Sequence, residues 1–121
     1  MKMIKSVVAK CQVEGFHFWP TAPDEVEFLR NSHRHIFHVT LSIQVQDDNR
    51  EIEFILLKRW LQTYLEGTIP RTHDKATGIS CEQIAVLVIR TAQYKYGDKR
   101  IYTCIVSEDD ENGAMVTEEF E

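Results

Sequence analysis

Residues 36 to 45 read I-F-H-V-T-L-S-I-Q-V, with Phe37, Val39, Leu41, Ile43 and Val45 alternating with His38, Thr40, Ser42 and Gln44. A period of two puts the five apolar side chains on one side of an extended chain and the polar four on the other, which a helix cannot do. Such a half-buried strand commits the chain to a sheet with one apolar face, and that face must be covered by something else. With 121 residues there is material for one core and one domain, residues 1–121, with no break in composition to mark a second.

The neighbouring segments supply the rest of the sheet and its cover. Met3 to Val13 mixes β-branched and polar residues and reads as a first strand that ends near His17, and Asp47, Asp48 and Asn49 offer a turn before a short extended segment, Arg50 to Phe54. From Ile55 the spacing changes: Phe54, Leu57, Leu61 and Leu65 form one stripe and Lys58, Arg59 and Gln62 another, with Gly67 as a left-handed stop. Ser80 with Gln83 three residues on is a capping box, and Ile84, Leu87, Val88 and Thr91, with Cys81, Ala85 and Ala92, make the apolar face of a second helix that Gly97 closes. Between the helices, Thr68 to Ile79 lacks periodicity and is long enough for a lid or rim. Arg100 to Val106 and Ala114 to Val116 read as strands around a polar, acidic loop, Ser107 to Gly113. The predicted class is α+β in the order ββααββ, a four-stranded antiparallel sheet with two helices on one face. Its two edge strands would be covered most simply by neighbouring protomers in a cyclic homo-oligomer.

Charge removes some functions. The net charge is −5, but residues 108 to 121 hold seven of the 19 acids and no Lys or Arg, so 12 acids stand against 14 bases before them. No basic stripe follows, and duplex nucleic acid is not an expected partner. No apolar run approaches the roughly 18 residues of a membrane helix, and the N-terminus lacks a signal-peptide core, so no membrane partner is expected. Cys11, Cys81 and Cys104 are odd in number and far apart, as in reduced thiols of a cytoplasmic protein, and read as small buried side chains rather than nucleophiles.

His33 and His35 are one residue apart where the second strand begins, so both imidazoles point to one face, and a meander brings His17 alongside. Three imidazoles are a zinc set that leaves a fourth position open for water or substrate; an HxH pair on a strand is otherwise surface decoration. Phe16, Phe18 and Trp19 could stack a planar base or serve the core. Arg30, Arg34 and Arg71, read as lying in the two long loops, could donate to phosphates or be surface charge. The acidic loop is a solvated loop by default, since it lacks the spacing of an EF-hand calcium loop.

Taken together, His17, His33-Arg34-His35-Ile36-Phe37, Glu51-Ile52-Glu53-Phe54 before Leu57-Lys58, and Ser80-Cys81-Glu82-Gln83-Ile84-Ala85 resemble the tunnelling-fold group of 6-pyruvoyl- and 6-carboxytetrahydropterin synthases. The resemblance covers nearly the whole chain. It implies the ββααββ fold, a zinc held by His17, His33 and His35, and a heterocycle gripped by Glu108, which keeps its six-residue spacing to Ala114; Asn112 in the same loop joins the ligand-binding set. The chain also departs from the group. Where the family has its catalytic cysteine, just upstream of the HxH, this chain has Phe28, Leu29, Arg30, Asn31 and Ser32, and His73-Asp74 only loosely replaces the Leu-Asp-His after helix one. A carbonyl chemistry that needs those groups has lost its acid and base.

The segments H-R-H-I-F-H-V and S-E-D-D-E-N-G-A also resemble phage-encoded Thoeris anti-defence sponges, small oligomers that sequester cyclic ADP-ribose-type signals and in some cases cyclic oligonucleotides. That resemblance implies a host-cytoplasmic binding protein without turnover, in which Glu108 clamps the base edge, Phe16, Phe18 and Trp19 stack it, and Arg30, Arg34 and Arg71 take the phosphates. The alternative is a zinc-dependent 6-carboxytetrahydropterin synthase-like enzyme acting on a pterin triphosphate.

Overall fold

A computed structural model describes residues 1–120. It is an α+β fold with a four-stranded antiparallel sheet in the order β1-β2-β3-β4, where β1 is Lys5–His17, β2 His33–Val45, β3 Tyr102–Glu108 and β4 Gly113–Glu118. Two α-helices, α1 (Phe54–Thr68) and α2 (Cys81–Tyr96), separate the two hairpins, and 3-10 turns occur at Asp24–Arg30 and His73–Lys75. The predicted extended segment 50–54 is instead the approach to α1: the Glu53 side chain accepts from the Leu56 N–H at 3.0 Å and caps the helix.

The alternation in β2 sorts the two faces of the sheet. Cys11 lies opposite Val39 and Val39 opposite Val106, and all three are buried. Leu57, Leu61 and Leu65 of α1 and Ile84, Ala85, Val88, Ile89 and Ala92 of α2 belong to the same core cluster. Each fully buried Leu or Ile contributes about 1.5–3 kcal/mol from removal of its apolar surface from water. The other face carries the polar members of the strands, with Ile105 and Met115 exposed among them.

Both helices differ from the sequence expectation in detail. Gly67 does not end α1, which runs through it; the chain turns extended at Ile69, the residue before Pro70, because the proline ring crowds a helical conformation there. Phe54 is exposed rather than part of the buried stripe, and on α2 the buried face includes Ile89 while Leu87 is on the outside. The Ser80–Gln83 capping box forms, and Gly97 closes α2 with φ of 103°, a conformation that favours glycine.

Gly15 fixes how one end of the sheet is built. A Cβ at this position would collide with Ile69 and Phe37, so only glycine lets the Phe37 ring lie across β1. Gly15 is paired with His35, His17 with His33, and Phe37 with Glu108, so these side chains share the core-facing side of the sheet. That end carries polar side chains where the rest of the face is apolar. No helix among the described residues is long and apolar enough to cross a membrane.

Candidate metal centre

His17, His33 and His35 come together as their spacing predicts: one nitrogen from each ring lies within 4.8 Å of the other two. The rings meet edge to face, with centroids 4.5 Å apart for His17–His33, 4.9 Å for His33–His35 and 5.3 Å for His17–His35. Phe37 backs the cluster, its ring 5.2 Å from that of His17 and 5.9 Å from that of His35.

Each Nδ1 is held by an oxygen. His17 Nδ1 is 2.8 Å from the Ile79 carbonyl, His33 Nδ1 2.8 Å from the Asn31 carbonyl, and His35 Nδ1 2.7 Å from Oδ2 of Asp109. A carbonyl or carboxylate oxygen accepts only, so each Nδ1 carries the proton and, in the neutral ring, Nε2 carries a lone pair. The Nε2 atoms of His17 and His35 are buried without a hydrogen-bond partner. Buried unpartnered nitrogens are costly, and protonating them would crowd imidazolium charges together. An ion removes both costs. Nitrogen donors with their second nitrogen fixed by oxygen are the arrangement that orients imidazole toward zinc.

The loop after β3 completes the cluster. Asp109 and Asp110 both adopt left-handed backbone, φ 55° and 58°, a strain that non-glycine residues adopt only where their surroundings enforce it. What enforces it is visible at Asp109: its N–H donates to the Ile36 carbonyl, Oδ1 accepts from the Ile36 N–H at 2.9 Å, and Oδ2 holds His35. The Ile36 N–H and then His35 hold its carboxyl below the usual range. Glu108 places Oε2 3.0 Å from His17 Nε2 and Oε1 3.5 Å from His35 Nε2, both within ion-pair distance. His17 outweighs the opposing effect of burial and keeps the Glu108 carboxyl below its ordinary value. For His17, burial acts downward but Glu108 and the Ile79 carbonyl prevail, and its pKa is raised; burial lowers that of His33.

Beside the histidines is a cavity of about 420 Å³ lined by His17, His33, Glu108, Asn112, Phe18, Trp19, Leu29 and the segment from Gly78 to Gln83. Its size suits a small-molecule ligand. The 68–79 loop does form part of the rim: Phe18 N–H donates to the Thr77 carbonyl, and Gly78 and Ile79 line the wall. Of the expected ligand residues, Phe18, Trp19, Asn112 and Glu108 line this cavity.

Other expected ligand residues are elsewhere. Phe16 points from the opposite face of β1 and packs its ring 4.4 Å from His73, away from the cavity. Arg34 is on β2, not in a loop, and period two turns it away from its histidine neighbours to pair with Glu14. Arg30 binds the Ala22 carbonyl and Asp24, and neither it nor Arg71 lines the cavity. His38 also faces the other side of the sheet, and His73 binds the Ser32 hydroxyl at 2.8 Å. No Lys or Arg is among the cavity's lining residues.

All three cysteines are free and buried. Cys81, in the first turn of α2, reaches the cavity, with Sγ 3.8 Å from Oε2 of Glu108. Burial and the Glu108 carboxylate push its thiol up to about 12, so it is a neutral thiol at physiological pH. Sequence reasoning placed Cys81 on an apolar helix face and missed Asp109 as a histidine partner; the only local signal for Asp109 was its place in an acidic loop following a strand. No protein-family model and no curated protein matches this chain.

Proposed function

We propose that the chain binds zinc through His17, His33 and His35 and holds a planar nitrogen heterocycle, a pterin or a purine, in the adjoining cavity. The observation that carries this reading is the convergence of three imidazoles whose Nδ1 atoms are all held by oxygen while two Nε2 atoms stay buried and unpartnered. Zinc would supply a Lewis acid beside the cavity. Trp19 and Phe18 offer stacking surfaces, and the Glu108 carboxylate can accept from the N–H edge of a heterocycle. The sheet order and histidine placement agree with membership of the tunnelling-fold pterin synthase group that the sequence resembles, and with it a cyclic homo-oligomer joined through the outer edges of β1 and β4.

Retention without turnover is favoured by the sequence just upstream of the HxH: where the resembled synthases carry their catalytic cysteine, this chain has Phe28, Leu29, Arg30, Asn31 and Ser32. A sponge for cyclic ADP-ribose-type signals is a binder of this kind. No Lys or Arg lines the cavity, so its phosphates would have to be met by cations from a second protomer.

The test is to incubate the protein with dihydroneopterin triphosphate, with cyclic ADP-ribose-type signals and with cyclic oligonucleotides, then denature it by heat and identify what is released by mass spectrometry. Release of an intact heterocyclic ligand is expected. A converted pterin would replace retention by catalysis, and release of nothing from zinc-loaded protein would remove the heterocycle from the proposal.

A further inference from the structure

The charge on the cavity wall says what kind of heterocycle it accepts. Glu82, exposed in the first turn of α2, and Glu108, on the histidine side, both line the cavity, and no Lys or Arg does. A zinc ion on three neutral imidazoles would add two positive charges, which the two carboxylates equal. The wall is therefore acidic without the ion and no better than neutral with it.

The cations nearest to the wall in sequence are engaged elsewhere or stand outside it. Arg30, next to Leu29, donates to the Ala22 carbonyl and to Asp24, and Arg34, between His33 and His35, pairs with Glu14 on the other face of the sheet. Arg71 and Lys75 of the rim loop are exposed and are not part of the lining. The start of α2 adds little for an anion. Its capping box takes the Ser80 N–H onto Gln83 Oε1 at 3.0 Å and the Gln83 N–H onto the Ser80 hydroxyl at 3.1 Å, and the Glu82 carboxylate offsets the partial positive charge of the helix end.

What the wall offers instead is acceptors and ring surfaces. An ionised carboxylate only accepts, so it rewards N–H donors, and Phe18 and Trp19 supply faces for a planar ring. A phosphate brought to the same wall meets like charge, which a recess in protein screens less than open water does. We infer that the cavity selects an N–H-rich heterocycle at the level of the free base or nucleoside, neutral or singly cationic, and that phosphate groups on the same heterocycle weaken its binding. The inference rests on the heterocycle reading above and chooses among the ligands that reading leaves open.

Titration calorimetry on zinc-loaded protein, in buffer free of magnesium, compares neopterin with neopterin triphosphate and guanosine with GTP. In the pair that binds, the parent compound is expected to be held about tenfold more tightly than its triphosphate at low salt, the gap closing as sodium chloride screens the carboxylates. Glu82→Lys, at an exposed position whose side chain takes no part in the capping box, is expected to raise affinity for the triphosphate about tenfold and to leave that for the parent unchanged. Wild-type protein that holds the triphosphate as tightly as the parent, or more tightly, overturns the inference while leaving the heterocycle reading in place, the phosphates then being met by cations of a second protomer. A ratio that Glu82→Lys does not move overturns it as well. The wild-type comparison decides even if the variant does not fold. If neither pair binds, the heterocycle reading itself has failed, and the inference with it.

Discussion

The two ends of β2 each carry a polar cluster, and the two clusters differ in what they leave unpaired. At the Val45 end, Glu51 accepts from the Gln46 and Asp47 N–H groups, both at 2.9 Å, and pairs with Arg100. Arg100 in turn donates to the Gln44 carbonyl at 2.9 Å and the Tyr96 carbonyl at 3.0 Å. This cluster ties the β2–α1 connection to the end of α2 and asks for nothing from outside. At the His33 end, two imidazole nitrogens are buried with no partner. A network complete within the chain is structural, and one that is short of a partner is where an ion or ligand belongs.

The comparison breaks most severely at His35. His35→Ala is expected to abolish stoichiometric zinc and with it the stabilisation of about 2.7 kcal/mol that zinc at a hundredfold excess over Kd would give. Elemental analysis and thermal melts with and without zinc read both effects, and a variant that keeps one zinc per chain would show that the cluster is not the site.

A smaller effect is expected from Asp109→Asn, which keeps a residue tolerant of the left-handed backbone at φ 55°. Its oxygen can still accept from the Ile36 N–H, but its amide then donates to His35 Nδ1 and drives the proton onto Nε2, the nitrogen that the proposed zinc would need. Zinc affinity should fall about 10- to 100-fold, as for loss of other groups that orient metal-bound histidines, while the zinc-free melting temperature falls only slightly, from loss of a carboxylate that its neighbours hold below the usual range. Competition with a chromophoric chelator measures it; unchanged affinity would show that Asp109 does not set the tautomer.

The smallest effect lies at the other end. The Asp47 N–H, Arg100 and the Gln46 N–H hold Glu51 down from 4.5 to about 2. A carboxylate with a depressed folded-state value contributes stability that is fully present above pH 4.5 and lost as the pH falls through about 2. Glu51→Gln should therefore melt slightly below the wild type at pH 7, the gap closing between pH 4.5 and 2, with zinc affinity untouched. A gap that persists at pH 2 would mean that shape, not charge, makes the contribution.

The cluster at the histidine end was partly legible from local rules. The period of two that makes 36–45 a strand also puts His33 and His35 on one side, and pairing with β1 carries His17 to them. It equally turns Arg34 and Phe16 to the opposite face, a consequence that attention to loops and aromatics overlooked. The partners that hold the rings were not legible. Ile79 is 62 residues from His17 in sequence and Asp109 is 74 from His35, and no short-range pattern spans such separations.

The sequence by itself determined the elements and their faces: the alternating strand, the Ser80–Gln83 cap and the HxH spacing each act through the chain's own geometry over a few residues. Only the tertiary structure decided which groups met at the end of the sheet. Gly15 admits Phe37, the left-handed turn at Asp109 reaches back to β2, and the first turn of α2 brings Cys81 beside Glu108. These contacts depend on the register of three strands and the packing of two helices. They exist only once the whole core has closed.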